Sequence, residues 1–368
     1  MNKKLSAISL ILFVLLTSGC NRAARQRQNT APQENQSAPA VTAAPSADAN
    51  GVANTPGRHD HTIQVGGAAR EFIVYVPDAA KGPAQVPLVV MLHGTSGDGQ
   101  RFFDISGWRE KADREGFIVA FPTALTHCFY EDENRDGDFK DRNERKVTTK
   151  WSAGNLGGDL LPLCTEEETA SLSPEERALV DHPLADDMAF FQSMFDVLES
   201  NYSIDPKRIY VAGFSNGAQM AGRLAVEMSG RIAAAATAAG PLAVSGPSTR
   251  PISVILTYGN ADDNFVRYND GKPYSLDESL IQLPQVKTLL VDRWLSALQL
   301  TDEYEYSEGT IAGERYVQFL YSTSAVGADN LFKLIFIDNL THKYPNGRNH
   351  SVVAADLSWE FFSQYRLP

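Results

Sequence analysis

The sequence is short of cysteine, short of positive charge and nearly without long apolar runs, and each shortage removes a class of protein. Its 368 residues hold 3 Cys, too few for a fold built on disulfides, and Cys20, Cys128 and Cys164 do not stand at zinc-ligand spacing. Lys plus Arg number 33 against 45 Asp plus Glu, a formal net charge of -12. A protein that works by neutralising phosphates needs the opposite balance, so nucleic acid is excluded as a partner. The most apolar stretch, residues 5–16, falls short of the ~20 residues needed to cross a ~30 Å hydrocarbon core. What the chain does have is 43% hydrophobic residues, enough for a packed core and too many for wholesale disorder.

The two ends of the chain differ. Lys3 and Lys4, the apolar stretch and the small pair Ser18-Gly19 read as an export signal over residues 1–19. Its ending, Leu-Thr-Ser-Gly-Cys, resembles the lipobox of bacterial lipoproteins, which would make Cys20 the lipidated first residue of the mature chain. Asn21 in the next position would favour the outer membrane. Residues 20–57 are rich in Ala, Pro, Gln, Asn and Ser, a composition that cannot offset its own ordering entropy. They are expected to form a disordered tether of roughly 35 Å reach. The expectation is an exported lipoprotein of the cell envelope, held at the outer membrane or cell surface through its lipid alone. Removing the five cations and two anions of residues 1–57 leaves -15 on residues 58–368, read as one monomeric catalytic domain.

Within that domain residues 62–65 and 71–76 alternate as antiparallel edge strands do. Residues 87–92, 117–121, 208–212, 252–257 and 331–337 are apolar runs suited to strands buried on both faces. Helices are expected over 104–115 (closed by Gly116), 186–202, 216–228, 286–298 and 352–362. The alternation predicts an α/β fold, a mostly parallel central sheet with helices on both faces. Residues 124–185 break the alternation and are read as an insertion on the rim.

At the end of one such strand stands Gly213-Phe214-Ser215-Asn216-Gly217, followed by a helix of small residues. This is the Gly-x-Ser-x-Gly turn of α/β-hydrolases, in which a nucleophilic Ser projects at a helix N-terminus and the next backbone N–H, here that of Asn216, faces a developing oxyanion. The chain order of such sites is Ser, then an acid, then His. Asp262, with Asp263 as the near alternative, follows the strand at 252–257. His59, His61, His93, His127 and His182 all precede the Ser, leaving His342 and His350. His342 follows the last strand by a short loop and is preferred; His350 suits a capping role. The second oxyanion donor is expected at Thr95, in His93-Gly94-Thr95-Ser96-Gly97 after an early strand. Gly94 to Gly99 has P-loop spacing, but Gln100-Arg101 follows where Lys-Ser/Thr is required, so nucleotide binding is rejected.

Residues 88–94 (Leu-Val-Val-Met-Leu-His-Gly), 112–119 (Ala-Asp-Arg-Glu-Gly-Phe-Ile-Val) and 204–217 (Ile-Asp-Pro-Lys-Arg-Ile-Tyr-Val-Ala-Gly-Phe-Ser-Asn-Gly) resemble the secreted polyhydroxybutyrate depolymerase and feruloyl esterase family. Tyr-Gly-Asn-Ala-Asp at 258–262 and Trp-Glu-Phe-Phe at 359–362 extend the likeness. The resemblance implies a serine esterase of the α/β-hydrolase fold with Ser215, Asp262 and His342 as its triad, needing no cofactor. Thr341-His-Lys-Tyr-Pro-Asn-Gly347 is similar to the family's Gly-His-x-Trp-Pro-Gly, with Thr341 and Tyr344 as departures. The substrate class left open is polymer-linked ester, either polysaccharide acetyl and feruloyl esters or polyhydroxyalkanoate, with a lean to the former. A serine peptidase and a catalytically dead surface-binding lipoprotein are the rival readings.

The insertion carries further candidates. Cys128 and Cys164 lie together in an exported chain and are expected to form a disulfide. Asp132, Asn134, Asp136 and Asp138 have the ligand spacing of a structural calcium loop, although position twelve is Asn143 rather than Glu. Trp151, with Phe129 and Tyr130, would either wall the substrate pocket or pack the insertion onto the domain. His59-Asp60-His61 is read as exposed rather than metal-binding, and Asp186 and Asp187 as acids favoured at a helix N-terminus.

Overall fold

The computed structural model describes residues 52–132 and 144–368. The export signal, Cys20, nearly all of the tether and the calcium-loop candidates beyond Asp132 lie outside the described residues. Among the described residues, Asn54, inside the stretch expected to be tether, is already held by hydrogen bonds. Its backbone pairs with Gly82, and its side chain exchanges hydrogen bonds with the Ser203 backbone.

The first hairpin follows from its turn. Gly66 and Gly67 both take positive φ, as a two-residue turn matched to strand twist requires. β1 (Gly57–Val65) and β2 (Ala68–Val76) pair around it in antiparallel register. Next come β3 (Val86–Leu92), α1 (Gly99–Ile105), α2 (Trp108–Glu115) and β4 (Ile118–Pro122). The expected helix over 104–115 is split, because Gly107 at φ +79 interrupts it before Gly116 caps the second piece.

The insertion holds β5 (Thr126–Tyr130), β6 (Arg145–Thr149), α3 (Glu166–Ala170) and α4 (Pro174–Leu179), with β5 and β6 forming their own two-stranded sheet. Cys128 and Cys164 are bonded across it, with Cα atoms 5.4 Å apart. Then follow α5 (Asp187–Asn201), β7 (Ile204–Phe214), α6 (Asn216–Glu227), β8 (Ala234–Ala238), β9 (Ser253–Gly259) and α7 (Asp263–Val266). The helix expected over 286–298 is broken into α8 (Pro284–Val286), a π-turn at residues 287–291 and α9 (Asp292–Leu298). The chain closes with β10 (Glu305–Ile311), β11 (Glu314–Tyr321), β12 (Phe332–Ile337) and α10 (Ala354–Phe362).

Ten strands form one sheet in the order β1-β2-β4-β3-β7-β8-β9-β12-β11-β10. The six from β4 to β12 run parallel, and an antiparallel hairpin extends each side. Two apolar cores cover its faces. One contains Phe191, Leu224 and Trp294 from α5, α6 and α9; the other contains Phe102, Trp108 and Phe361 from α1, α2 and α10. The carboxyl ends of the parallel strands therefore share one edge, where ligand sites of open α/β sheets form.

Candidate active site

β7 ends at Phe214 and α6 begins at Asn216, so one residue makes the turn. That residue is Ser215, with φ 54 and ψ -120, a conformation L residues hold only when their surroundings enforce it. A Cβ at Gly213 would run into the Gly217 carbonyl, and one at Gly217 into the His93 carbonyl, so both flanks must be glycine. The Ser215 N–H donates to the Ala238 carbonyl at 2.9 Å and fixes the turn to β8.

His342, after β12, places Nε2 3.0 Å from Ser215 Oγ and Nδ1 2.8 Å from Asp262 Oδ2. Hydrogen-bond logic assigns the proton to Nδ1, leaving Nε2 to accept from the serine hydroxyl. Asp262, after β9, is fully buried, and its other oxygen accepts the Asn264 N–H at 2.9 Å as the N-cap of α7. Asp263 is the exposed first residue of α7. His350 donates to the Asp338 carbonyl and accepts the Val352 N–H, which makes it a loop brace. The arrangement can take the proton from Ser215 as its oxygen attacks an electrophile, and can steady the resulting imidazolium.

Thr95 and Asn216 both line the cavity that holds Ser215. The Asn216 N–H is the first of α6 and has no acceptor within its own helix. His93 is buried between these loops, and burial pushes its pKa down to about 4. It therefore stays neutral, donating from Nδ1 to the Gly94 carbonyl at 2.7 Å and accepting the Ala124 N–H on Nε2 at 3.0 Å.

Trp151 does not wall the cavity. It is fully buried, stacked near Phe190 and Phe191, with its indole N–H donated to the His93 carbonyl at 2.9 Å. The packing alternative is the one realised, because the indole finds its acceptor beneath the site rather than in it. Phe129 is likewise buried, in the insertion's own core beside Leu156 and Leu161. Asp187 opens α5, as expected of an acid at a helix N-terminus, and has a second role there. It is buried, paired with Arg70 at 2.6 Å and accepting the Ser152 N–H at 2.7 Å, while Asp186 alone acts as the N-cap. Adjacent acids at a helix start look alike in sequence, and only the fold assigns one of them to the interior.

The cavity is about 300 Å³ and its lining is mixed. Beside Ser215 and His342 it presents Lys150, Glu131, Asn155 and Tyr268. Lys150 is nearly buried, and desolvation lowers its pKa; its ammonium lies 3.5 Å from the half-exposed Glu131 carboxylate and 4.6 Å from the Phe129 ring. Asn155 Oδ1 is buried with no partner among the described residues. Tyr344, the departure from the family pattern, lies below the site and accepts the Trp108 indole N–H at 2.9 Å. His59 and His61 bond to the Thr55 carbonyl and the Tyr202 hydroxyl, and no group of three or more His, Cys, Asp or Glu among the described residues is arranged to hold a metal.

No protein-family model matches the chain. Over 207 residues it is 28% identical to feruloyl esterase B of Piromyces equi, a match covering 55% of this chain and 31% of that protein. It is 29% identical over 205 residues to the putative esterase NocK of Nocardia uniformis subsp. tsuyamanensis, covering 54% and 47%. The matched region thus spans less than half the length of either relative. Among solved structures, the acetyl xylan esterase of Aspergillus awamori aligns at a TM-score of 0.50 with 14% identity, over 83% of this chain and 99% of that one. The fold is that of the α/β-hydrolases.

Proposed function

We propose that the chain is a serine carboxylic-ester hydrolase. The observation that carries the reading is the relay from Ser215 Oγ through His342 to buried Asp262, at 3.0 and 2.8 Å. Ser215 attacks the ester carbonyl, forming an Oγ–C bond as its proton passes to His342 Nε2. Collapse of the tetrahedral intermediate breaks the bond to the alkoxy oxygen, and that proton leaves with the alcohol. Water, deprotonated by the same nitrogen, then releases the acid and restores Ser215. The backbone N–H groups of Thr95 and Asn216 hold the oxyanion, where losing one donor typically costs ~10²–10³ in kcat. Nucleophile, base and orienting acid all come from the chain, so the steps require no cofactor.

The alcohol half of the ester is a polysaccharide rather than a polyester. Lys150 offers donors, while Glu131 and Asn155 Oδ1 offer acceptors, and sugar hydroxyls supply both partners where a hydroxyalkanoate chain supplies only acceptors. The wider setting rests on sequence pattern: residues 1–19 direct export, Cys20 carries the lipid anchor, and the following residues tether a monomeric enzyme at the cell envelope.

A fluorophosphonate probe with peptide mapping tests the reading. Labelling confined to Ser215, lost on denaturation, is expected; a native protein that does not label is a binding lipoprotein instead. Comparing a matched ester and amide separates esterase from peptidase, with the ester strongly preferred.

A further inference from the structure

We infer that Trp151 is a positioning residue that sets the distance between the two oxyanion donors; the inference rests on the hydrolase reading above. The donors belong to separate segments, Thr95 to the loop after β3 and Asn216 to the start of α6, and nothing covalent holds them in register. Trp151 is bonded to both. Its indole N–H donates to the carbonyl of His93, two residues before Thr95, at 2.9 Å. Its own peptide holds the Asn216 side chain from both ends: the Trp151 N–H donates to Asn216 Oδ1 at 2.7 Å, and Asn216 Nδ2 donates to the Trp151 carbonyl at 3.2 Å.

The neighbouring residues leave this spacer no slack. Before it, the Thr149 carbonyl accepts the Ser96 N–H at 3.0 Å, and the Thr149 hydroxyl donates to the Gly97 carbonyl at 2.6 Å. After it, the Ser152 N–H is held by Asp187 at 2.7 Å. The insertion's last strand runs into a wedge between the two loops, and the wedge is buried where no water competes for its hydrogen bonds. Small errors in such geometry are costly, since a displacement of ~1 Å in a reacting constellation can lose ~10²-fold in rate.

Two variants read this directly. Trp151→Phe keeps the ring packing and deletes the indole N–H. Asn216→Ala keeps the backbone N–H that would serve as donor and deletes only the side chain that Trp151 grips. Turnover of p-nitrophenyl acetate and inhibition by an alkyl trifluoromethyl ketone, whose hemiketal oxyanion occupies the hole, are measured for each. Both variants are expected to lose about 10–100-fold in kcat and a similar factor in ketone affinity. KM should stay within about threefold and the midpoints of the pH profile should not move. Unchanged kcat and ketone affinity in Asn216→Ala would overturn the inference. So would a joint loss of kcat, substrate affinity and thermal stability in both variants, which is the mark of a merely structural role. A wild-type protein that turns over no ester would instead remove the hydrolase reading, and this inference with it.

Discussion

Arg70 and Asp187, 117 positions apart in the chain, meet in a 2.6 Å ion pair from which water is almost wholly excluded. Burial pushes the Asp187 carboxyl up, while Arg70 and the Ser152 N–H pull it back. Arg70 also lies 4.0 Å over the Phe190 ring, which leaves it no route to solvent. Removing one partner of such a pair strands a buried charge. Asp187→Ala is therefore expected to cost about 3–5 kcal/mol of stability. Asp186→Ala, which removes only an exposed N-cap, is expected to cost about 1 kcal/mol. Urea titration of the two variants checks the difference, and equal losses would contradict it.

Two buried histidines set an acid limit on the fold. Burial is the first cause of the lowered pKa in both His93 and His127, each brought from 6.5 to about 4, with His182 and Arg70 adding to the effect at His127. Between those values the unfolded chain binds protons that the folded chain refuses, so stability rises with pH there. The contribution is fully present above pH 6.5 and is lost as pH falls toward 4, at roughly 3 kcal/mol for each histidine. Thermal unfolding followed from pH 7 to pH 4 should show a steadily falling Tm. His127→Gln should flatten that fall; an unchanged slope would contradict the assignment.

The Cys128–Cys164 bond closes a separation of 36 residues around the insertion. Chain entropy alone assigns such a closure about 4 kcal/mol. Reduction, or the paired substitution of Cys128 and Cys164 by Ser, should therefore lower Tm by several degrees. It should also speed proteolysis between residues 124 and 185, read by mass spectrometry of limited digests. Protection equal to that of the oxidised protein would show that the disulfide does not support the insertion.

Substrate preference should follow the cavity's polar groups. Lys150→Met preserves the side chain's length and packing while deleting its donors. Activity on acetylated xylan is expected to fall about tenfold, as for loss of a charge-assisted hydrogen bond, with a change of less than about threefold on p-nitrophenyl acetate. Equal losses on both substrates would place Lys150 outside substrate recognition.

What was legible in the sequence depended on whether the physics acted locally. Ser215, Asp262 and His342 could be placed because each follows an apolar strand in the chain order of α/β-hydrolase sites. β8, with residues Ala-Ala-Ala-Thr-Ala, could not: alanine carries no strand signal, and only pairing between β7 and β9 makes it one. The helices over 104–115 and 286–298 were expected to be continuous because apolar periodicity survives a glycine break and a π-turn. The interior partners of Trp151 and Asp187 were not legible for a related reason. Both residues depend on partners dozens of positions away, at Asn216 and Arg70, and no local pattern records such a meeting.

Turnover of p-nitrophenyl acetate by purified wild-type protein and its Ser215→Ala variant decides whether Ser215 is the nucleophile of an ester hydrolase. Clear wild-type turnover is expected, with a loss of at least ~10³-fold in kcat/KM for a folded variant of unchanged Tm. Turnover by Ser215→Ala at the wild-type level would contradict that assignment.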